Sequence, residues 1–250
     1  MNSVDLAIKR HDIDASHFQS VYSKSENELT KKEKAFLTGR GLVLKELEHI
    51  LNTIPKGSKV LDIGCGTAHL TKWIQDKGFE VYGIEPSTEM YDFAVKNFPE
   101  INIQKGISSK LPFENNTFDV IVAFEVLRYL DKDENKKTYA EMYRTLKPNG
   151  TFFITQVNLY ATDFYFVFYS IKELYSKLFN KIHHYCNFTS SGNEISLAKK
   201  AGFSEVRTIG VFHGSIRFMY KLSKGFGNAY SNIITKLFPT QRQIIQQVRI

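Results

Sequence analysis

The stretch Val60-Leu61-Asp62-Ile63-Gly64-Cys65-Gly66-Thr67-Ala68-His69 decides how this chain is read. An apolar run, Lys59 to Ile63, stops at Gly64-Cys65-Gly66, and Leu70, Trp73 and Ile74 then recur on one helical face. The order is strand, glycine turn, helix. Two glycines at the end of a buried strand let the backbone turn tightly and approach a ligand closely. The helix that follows presents free N–H groups and positive dipole character. The turn is therefore a seat for a small ligand.

Outward from that turn, strand and helix alternate. Helical periodicity over 36–53 precedes it and ends at Pro55-Lys56-Gly57. Further strands are expected at Glu80–Glu85, Ile101–Gln104, Phe118–Phe124 and Thr151–Thr155, with helices between them. Pro86-Ser87 opens one helix and Lys147-Pro148-Asn149-Gly150 ends another. Five alternations predict an α/β fold, a doubly wound parallel sheet with right-handed crossovers. Ligands of such sheets sit at the carboxyl ends of the strands. The glycine turn, Glu85, Ile107/Ser108 and Phe124/Glu125 all fall at such ends and should converge on one crevice.

The flanks differ in composition. Residues 1–35 are polar and read as a loose or helical arm, either a frayed terminus or a flap over the ligand. Residues 36–158 form the core. Residues 159–192 carry a dense aromatic run from Tyr160 to Phe188, read as a cap packed beside the crevice or lining an apolar pocket. Residues 193–250 complete the sheet, with a basic helical insertion over 214–238 and a last strand from Gln243 to Ile250. The net charge of +7 is uneven: residues 172–250 hold 12 Lys/Arg against 3 Asp/Glu. That excess is either a solvated surface or an attraction to anionic substrate, lipid or nucleic acid. An apolar content of 42% and two cysteines, Cys65 and Cys186, predict a globular protein without a disulfide framework, in a reducing cytoplasmic setting. The first residues lack an apolar targeting run, and no stretch is long and apolar enough to predict a transmembrane helix.

VLDIGCGTAH at 60–69, GIEPSTEM at 83–90, LPFENNTFDVIVAFEVLRYL at 111–130 and LKPNGTFFIT at 146–155 together resemble class I S-adenosylmethionine (SAM)-dependent methyltransferases. The resemblance covers about residues 40–155. It implies a Rossmann-like methyltransferase sheet of seven strands, the last antiparallel to the rest, and SAM as the methyl donor with S-adenosylhomocysteine as product. It places the backbone of Gly64, Cys65 and Gly66 against the methionine part of SAM, with Asp62 near its amino group. It gives the ribose hydroxyls to Glu85. Pro86, Ser87 and Met90 flank the adenosine, Ile107 and Ser108 edge the adenine, and Phe124 and Glu125 lie beneath the methyl donor. Arg40 matches a place where related enzymes hold the SAM carboxylate, or is a surface arginine; Tyr22 is a similar candidate. The chain departs from the family where Ala68 replaces a usual glycine and Ile107 a usual aspartate. Leu127-Arg128-Tyr129 replaces the Leu-Glu-His of a branch acting on quinone-type hydroxyls.

A sulfonium methyl is already activated, so alignment and exclusion of water can supply much of the acceleration. A general base is needed only for an acceptor that must lose a proton. His183 and His184 are the candidates for it, or a solvated pair on a polar loop; Glu125 could orient an amine or hydroxyl. His183 and Cys186 lack further ligands at metal-binding spacing, so no metal site is expected. The expected function is methyl transfer to a small-molecule or lipid-like acceptor, with an anionic membrane surface as a possible contact of the basic segment. Phe124-Glu125-Val126-Leu127 is not the run used on exocyclic base amines, which disfavours nucleic acid. A tRNA or RNA methyltransferase and a non-catalytic SAM-binding partner protein are the alternatives.

Overall fold

Strand β1 (Lys59–Ile63) occupies the middle of the sheet because its side chains are apolar on both faces. Val60 joins one buried cluster, and Leu61 and Ile63 join the other. The same alternation runs through β4 (Phe118–Ala123), where Val120 and Val122 face one way and Ile121 and Ala123 the other. In a computed structural model, residues 2–25, 27–160, 165–179, 185–210, 219–220, 222–237 and 242–248 are described.

The chain begins with two long helices, α1 (Ser3–Ser23) and α2 (Lys31–Leu51). Each opens on a capping box, Asn2 with Asp5 and Thr30 with Glu33, which satisfies N–H groups that the first turn leaves open. The arm expected over residues 1–35 is thus mostly regular helix, and α2 begins five residues before the expected start. Beyond β1 come α3 (His69–Gln75), β2 (Glu80–Glu85), α4 (Thr88–Asn97), β3 (Asn102–Lys105), β4, α5 (Lys132–Thr145) and β5 (Leu146–Asn158). Then follow α6 (Tyr165–Leu178), β6 (Phe188–Thr189), α7 (Ser191–Ala201), β7 (Glu205–Gly210), α8 (Lys224–Leu237) and β8 (Arg242–Val248).

The sheet order is β3-β2-β1-β4-β5-β8-β7. Strands β1 to β5 are parallel, and β8 runs antiparallel to both β5 and β7. This is the seven-stranded, doubly wound order expected. It carries one addition: β6 pairs in parallel with the last two residues of β5. Helices α2, α3 and α4 pack one face through Leu47, Ile74 and Ala94. Helices α5 and α7 cover the other through Tyr139, Met142 and Ala198. On that second face the fully buried Tyr139 donates its hydroxyl to the carboxyl of Glu194 at 2.6 Å, joining α5 to α7, and burial raises the Glu194 carboxyl above its usual range.

Gly202 ends α7 with φ +113°, and a Cβ there would stand 2.7 Å from the ring of Tyr143, which itself packs edge-on against Phe203. Gly202→Ala therefore meets both a strained backbone and an aromatic ring. It is expected to lower stability by about 1–3 kcal/mol in denaturant unfolding.

Candidate active site

Between Gly64 and Ala68 the backbone turns through three left-handed residues: Gly64 (φ +67°), Gly66 (φ +56°) and Ala68 (φ +60°). The carbonyl of Ile84, next to last in β2, accepts from the N–H groups of Gly64 (2.8 Å) and Cys65 (3.1 Å). A Cβ on Gly64 would lie 2.5 Å from Val126, so glycine is required there twice over, by φ and by space. Ala68 adopts the same left-handed conformation with a methyl group and starts α3 without a side-chain cap.

Glu85 follows directly on the anchored carbonyl. Its carboxylate accepts from the Gly66 N–H and the Ser87 N–H, each at 2.8 Å. Burial pushes this carboxyl up to about 7 against those two bonds, with Asp62 and Asp12 raising it further. Asp62, fully buried, is also pushed up to about 7 by desolvation, opposed by the Thr71 hydroxyl at 2.7 Å and by the charge of Arg40. Both carboxyls bind a proton more tightly folded than unfolded. Their contribution to stability is therefore full below about pH 4 and is lost as the pH rises through about 7.

A cavity of about 590 Å³ lies at the carboxyl ends of the strands. Of the residues singled out from the sequence, Arg40, Gly64, Gly66, Glu85, Pro86, Met90, Ile107, Ser108, Phe124 and Glu125 line it together, and Tyr22 joins them. Three do not. The Asp62 carboxylate bonds behind the turn to Thr71, the Cys65 side chain packs into the core against Gly83, and the fully buried Ser87 turns its hydroxyl to Asp12. The Ser108 hydroxyl bonds the Thr138 hydroxyl at 2.8 Å, which engages it with α5. Arg40 lies over the ring of Phe124 (4.4 Å) and near that of Tyr22 (5.6 Å), and Tyr22 stacks on His69 at 4.5 Å. No carboxylate among the described residues forms a salt bridge with Arg40. Glu125, at φ +63°, donates its N–H to the Thr155 hydroxyl (2.7 Å) and pairs its carboxylate with Arg128. His183 and His184 lie outside the described residues.

Of the two readings of residues 1–35, frayed terminus or flap over the ligand, the flap is the one that agrees with the cavity lining. No described residue of the aromatic stretch 159–188 lines the cavity; α1 and α2 cover it instead, with Val4, Ala7, Phe18, Val21 and Phe36 among the lining side chains. Helix α1 is tied down by polar contacts. The Ser87 hydroxyl donates to Asp12 at 2.6 Å, and Ser3 exchanges hydrogen bonds with Asp131. His11, its imidazole lowered to about 4 by burial, meets Tyr129 edge-on at 4.8 Å. The Asn2/Asp5 and Thr30/Glu33 capping boxes mark the starts of these helices in the sequence, beside the periodicity over 36–53 that marks α2.

Residues 61–154 match the family model described as a methyltransferase domain. These residues are a class I methyltransferase domain. An uncharacterised methyltransferase of Oceanobacillus iheyensis is 34% identical over 110 residues, covering 43% of this chain and 52% of that protein. A demethylmenaquinone methyltransferase of Renibacterium salmoninarum is 32% identical over 100 residues, 40% of this chain and 41% of that one. The chain thus spans about half the length, or less, of these curated relatives. The crystal structure of magnesium protoporphyrin IX methyltransferase from Synechocystis, with bound SAM, superposes with a TM-score of 0.68 at 13% identity, covering 100% of this chain and 98% of that one. That likeness shows the class I methyltransferase fold over the whole length.

Because few apolar side chains of α1 are buried, its position depends on the Asp12 and Ser3 contacts. Asp12→Ala is expected to raise amide hydrogen exchange across Ser3–Ser23 several-fold, while global stability changes by no more than about 1–2 kcal/mol.

Proposed function

We propose that this chain is a SAM-dependent methyltransferase that moves a methyl group to a small-molecule or lipid-like acceptor. The observation that carries the reading is Glu85. It sits at the end of β2 inside the cavity, fixed by the glycine turn on one oxygen and by Ser87 on the other.

The donor set fits SAM. A carboxylate offers about four acceptor positions, and two N–H bonds leave Glu85 able to receive a pair of ribose hydroxyls. Arg40, already over Phe124, supplies a guanidinium for a carboxylate. Met90 and Ile107 give the cavity an apolar wall suited to a flat base. The positive φ at Gly64 and Gly66 keeps that wall of the cavity free of side chains. SAM, when bound, supplies a methyl group on a positively charged sulfur, which needs no further activation.

What the chain adds is placement and a roof. Phe124 and Glu125 leave β4 at the inner wall of the cavity, and the Arg128 pair fixes the Glu125 carboxylate there. The α1 and α2 roof covers the cavity with apolar side chains (Val4, Ala7, Phe18, Val21, Phe36) and charged ones (Arg10, Asp14, Lys32, Glu33). The name of the Renibacterium relative supports an apolar or lipid-like acceptor. Tritiated methyl transfer screened over lipid, metabolite and RNA extracts tests the class. Label in lipid or small metabolites is expected; label confined to RNA would overturn it.

Glu85→Ala should weaken SAM binding at least about tenfold in calorimetry through the loss of charge-assisted bonds. The raised Glu85 and Asp62 carboxyls add a pH dependence. A cationic ligand favours their ionised forms, so binding releases protons below about pH 7. SAM affinity is expected to climb as the pH rises from 5.5 to about 7 and then to level off.

A further inference from the structure

Two amphipathic helices leave the sheet at one edge. Strand β5 ends at Asn158 before the connection that carries α6. Strand β7 is antiparallel to β8, as β5 is, so β5 and β7 run the same way. The α8 connection therefore departs from Gly210 and returns to Arg242 at the edge where β5 ends, the edge that also holds the cavity.

Helix α6 is oriented by Phe166 and Tyr169, whose rings meet Phe188 at 5.3 and 5.0 Å, and by Ser176, which is buried. On the side opposite Tyr169 and Ser176, Ile171, Leu174 and Leu178 stand at helical spacing, each more than half exposed. Helix α8 repeats the arrangement: Phe226, Ile233 and Leu237 share one stripe, each more than half exposed, with Asn228, Asn232 and Lys236 around the other side. Scattered exposed apolar residues are ordinary, but two helical stripes on connections that leave the same end of the sheet are not.

Charge and length select the occupant. The connection carrying α8, residues 211–241, holds Arg217, Lys221, Lys224 and Lys236 and no Asp or Glu. It lies in the third of the chain with 12 Lys/Arg against 3 Asp/Glu, whereas the whole chain carries only +7. Each helix has 14 residues, about 21 Å of rise, too short to cross a bilayer core of about 30 Å. No helix among the described residues is long and apolar enough to span. Short basic amphipathic helices of this kind lie in the plane of an anionic interface.

We propose that α6 and α8 form a docking surface for an anionic lipid bilayer, which they enter by their apolar stripes while the basic connection pairs with lipid headgroups. The surface sets the cavity's edge of the sheet toward the membrane. It stands on the two helices and not on the methyl-transfer reading.

Vesicle flotation of the full chain tests it. Vesicles of phosphatidylcholine with about 30% phosphatidylglycerol should carry the protein up, pure phosphatidylcholine about tenfold less, and salt should release it. The exposed pairs Leu174→Glu/Leu178→Glu and Phe226→Glu/Ile233→Glu should each cut anionic flotation about tenfold or more, with melting temperature and SAM binding unchanged. Absence of flotation on anionic vesicles would overturn the proposal, as would flotation indifferent to both pairs. So would light scattering that shows a dimer dissociated by the same substitutions, since a second copy would then cover the stripes. Failure of the unsubstituted chain to bind SAM, with its anionic flotation intact and sensitive to both pairs, would count against the cavity assignment and leave the docking surface standing.

Discussion

One carbonyl oxygen holds the site together. Ile84 accepts from both Gly64 and Cys65, so the end of β2 and the turn after β1 cannot move independently. The next residue, Glu85, then faces the N–H of Gly66, and the turn and the carboxylate fix each other. Every later feature of the cavity depends on this clasp. It needs backbone angles that side chains rarely tolerate, which is why glycine occupies Gly64 under Val126. The same closeness buries the carboxylate, and burial is what lifts its proton affinity. Tight geometry and raised proton affinity are two results of one packing choice.

The floor and roof of the cavity are held by different physics. The floor is a sheet whose strands are buried on both faces, and its side chains cannot shift without opening voids. The roof is α1, which buries only Ser3, Ala15 and Val21 and is fastened by hydrogen bonds from Asp12 and Ser3. Polar bonds exchange readily with water, whereas apolar burial does not. A ligand of SAM's size entering a roofed cavity needs one wall that yields at modest cost, and the chain provides it on the side with the least apolar burial.

The sheet was readable from the sequence because its signals are local. Apolar runs such as Val120-Ile121-Val122-Ala123 report on a few adjacent residues, whereas Lys147-Pro148-Asn149-Gly150, expected as a turn, lies inside β5 where its register against β4 shifts. The cavity's glycine and carboxylate side was readable for the same reason, since all of it falls at strand ends. For the roof, the sequence leaves a frayed terminus and a flap both open. His11, Asp12 and Arg10 belong to a polar helix whose relation to Ser87 and Tyr129 is long-range, with no periodic apolar face strong enough to announce it. For the aromatic stretch 159–188, the density of rings left open which surface they face. Phe166 and Tyr169 turn to Phe188, not to the described cavity. Cys65 shows the limit within the motif itself: the backbone is at the turn, but the thiol points into the core.

Strand β8 lies between β5 and β7 although it follows both in the chain. During synthesis, β5 therefore emerges with an unfilled edge, and β7 has no neighbour to pair with until residues 242–248 leave the ribosome. The nascent chain carries two open hydrogen-bonding edges beside exposed apolar helices for the time taken to make the α8 connection. Insertion of the last strand is a long-range step that closes both edges at once.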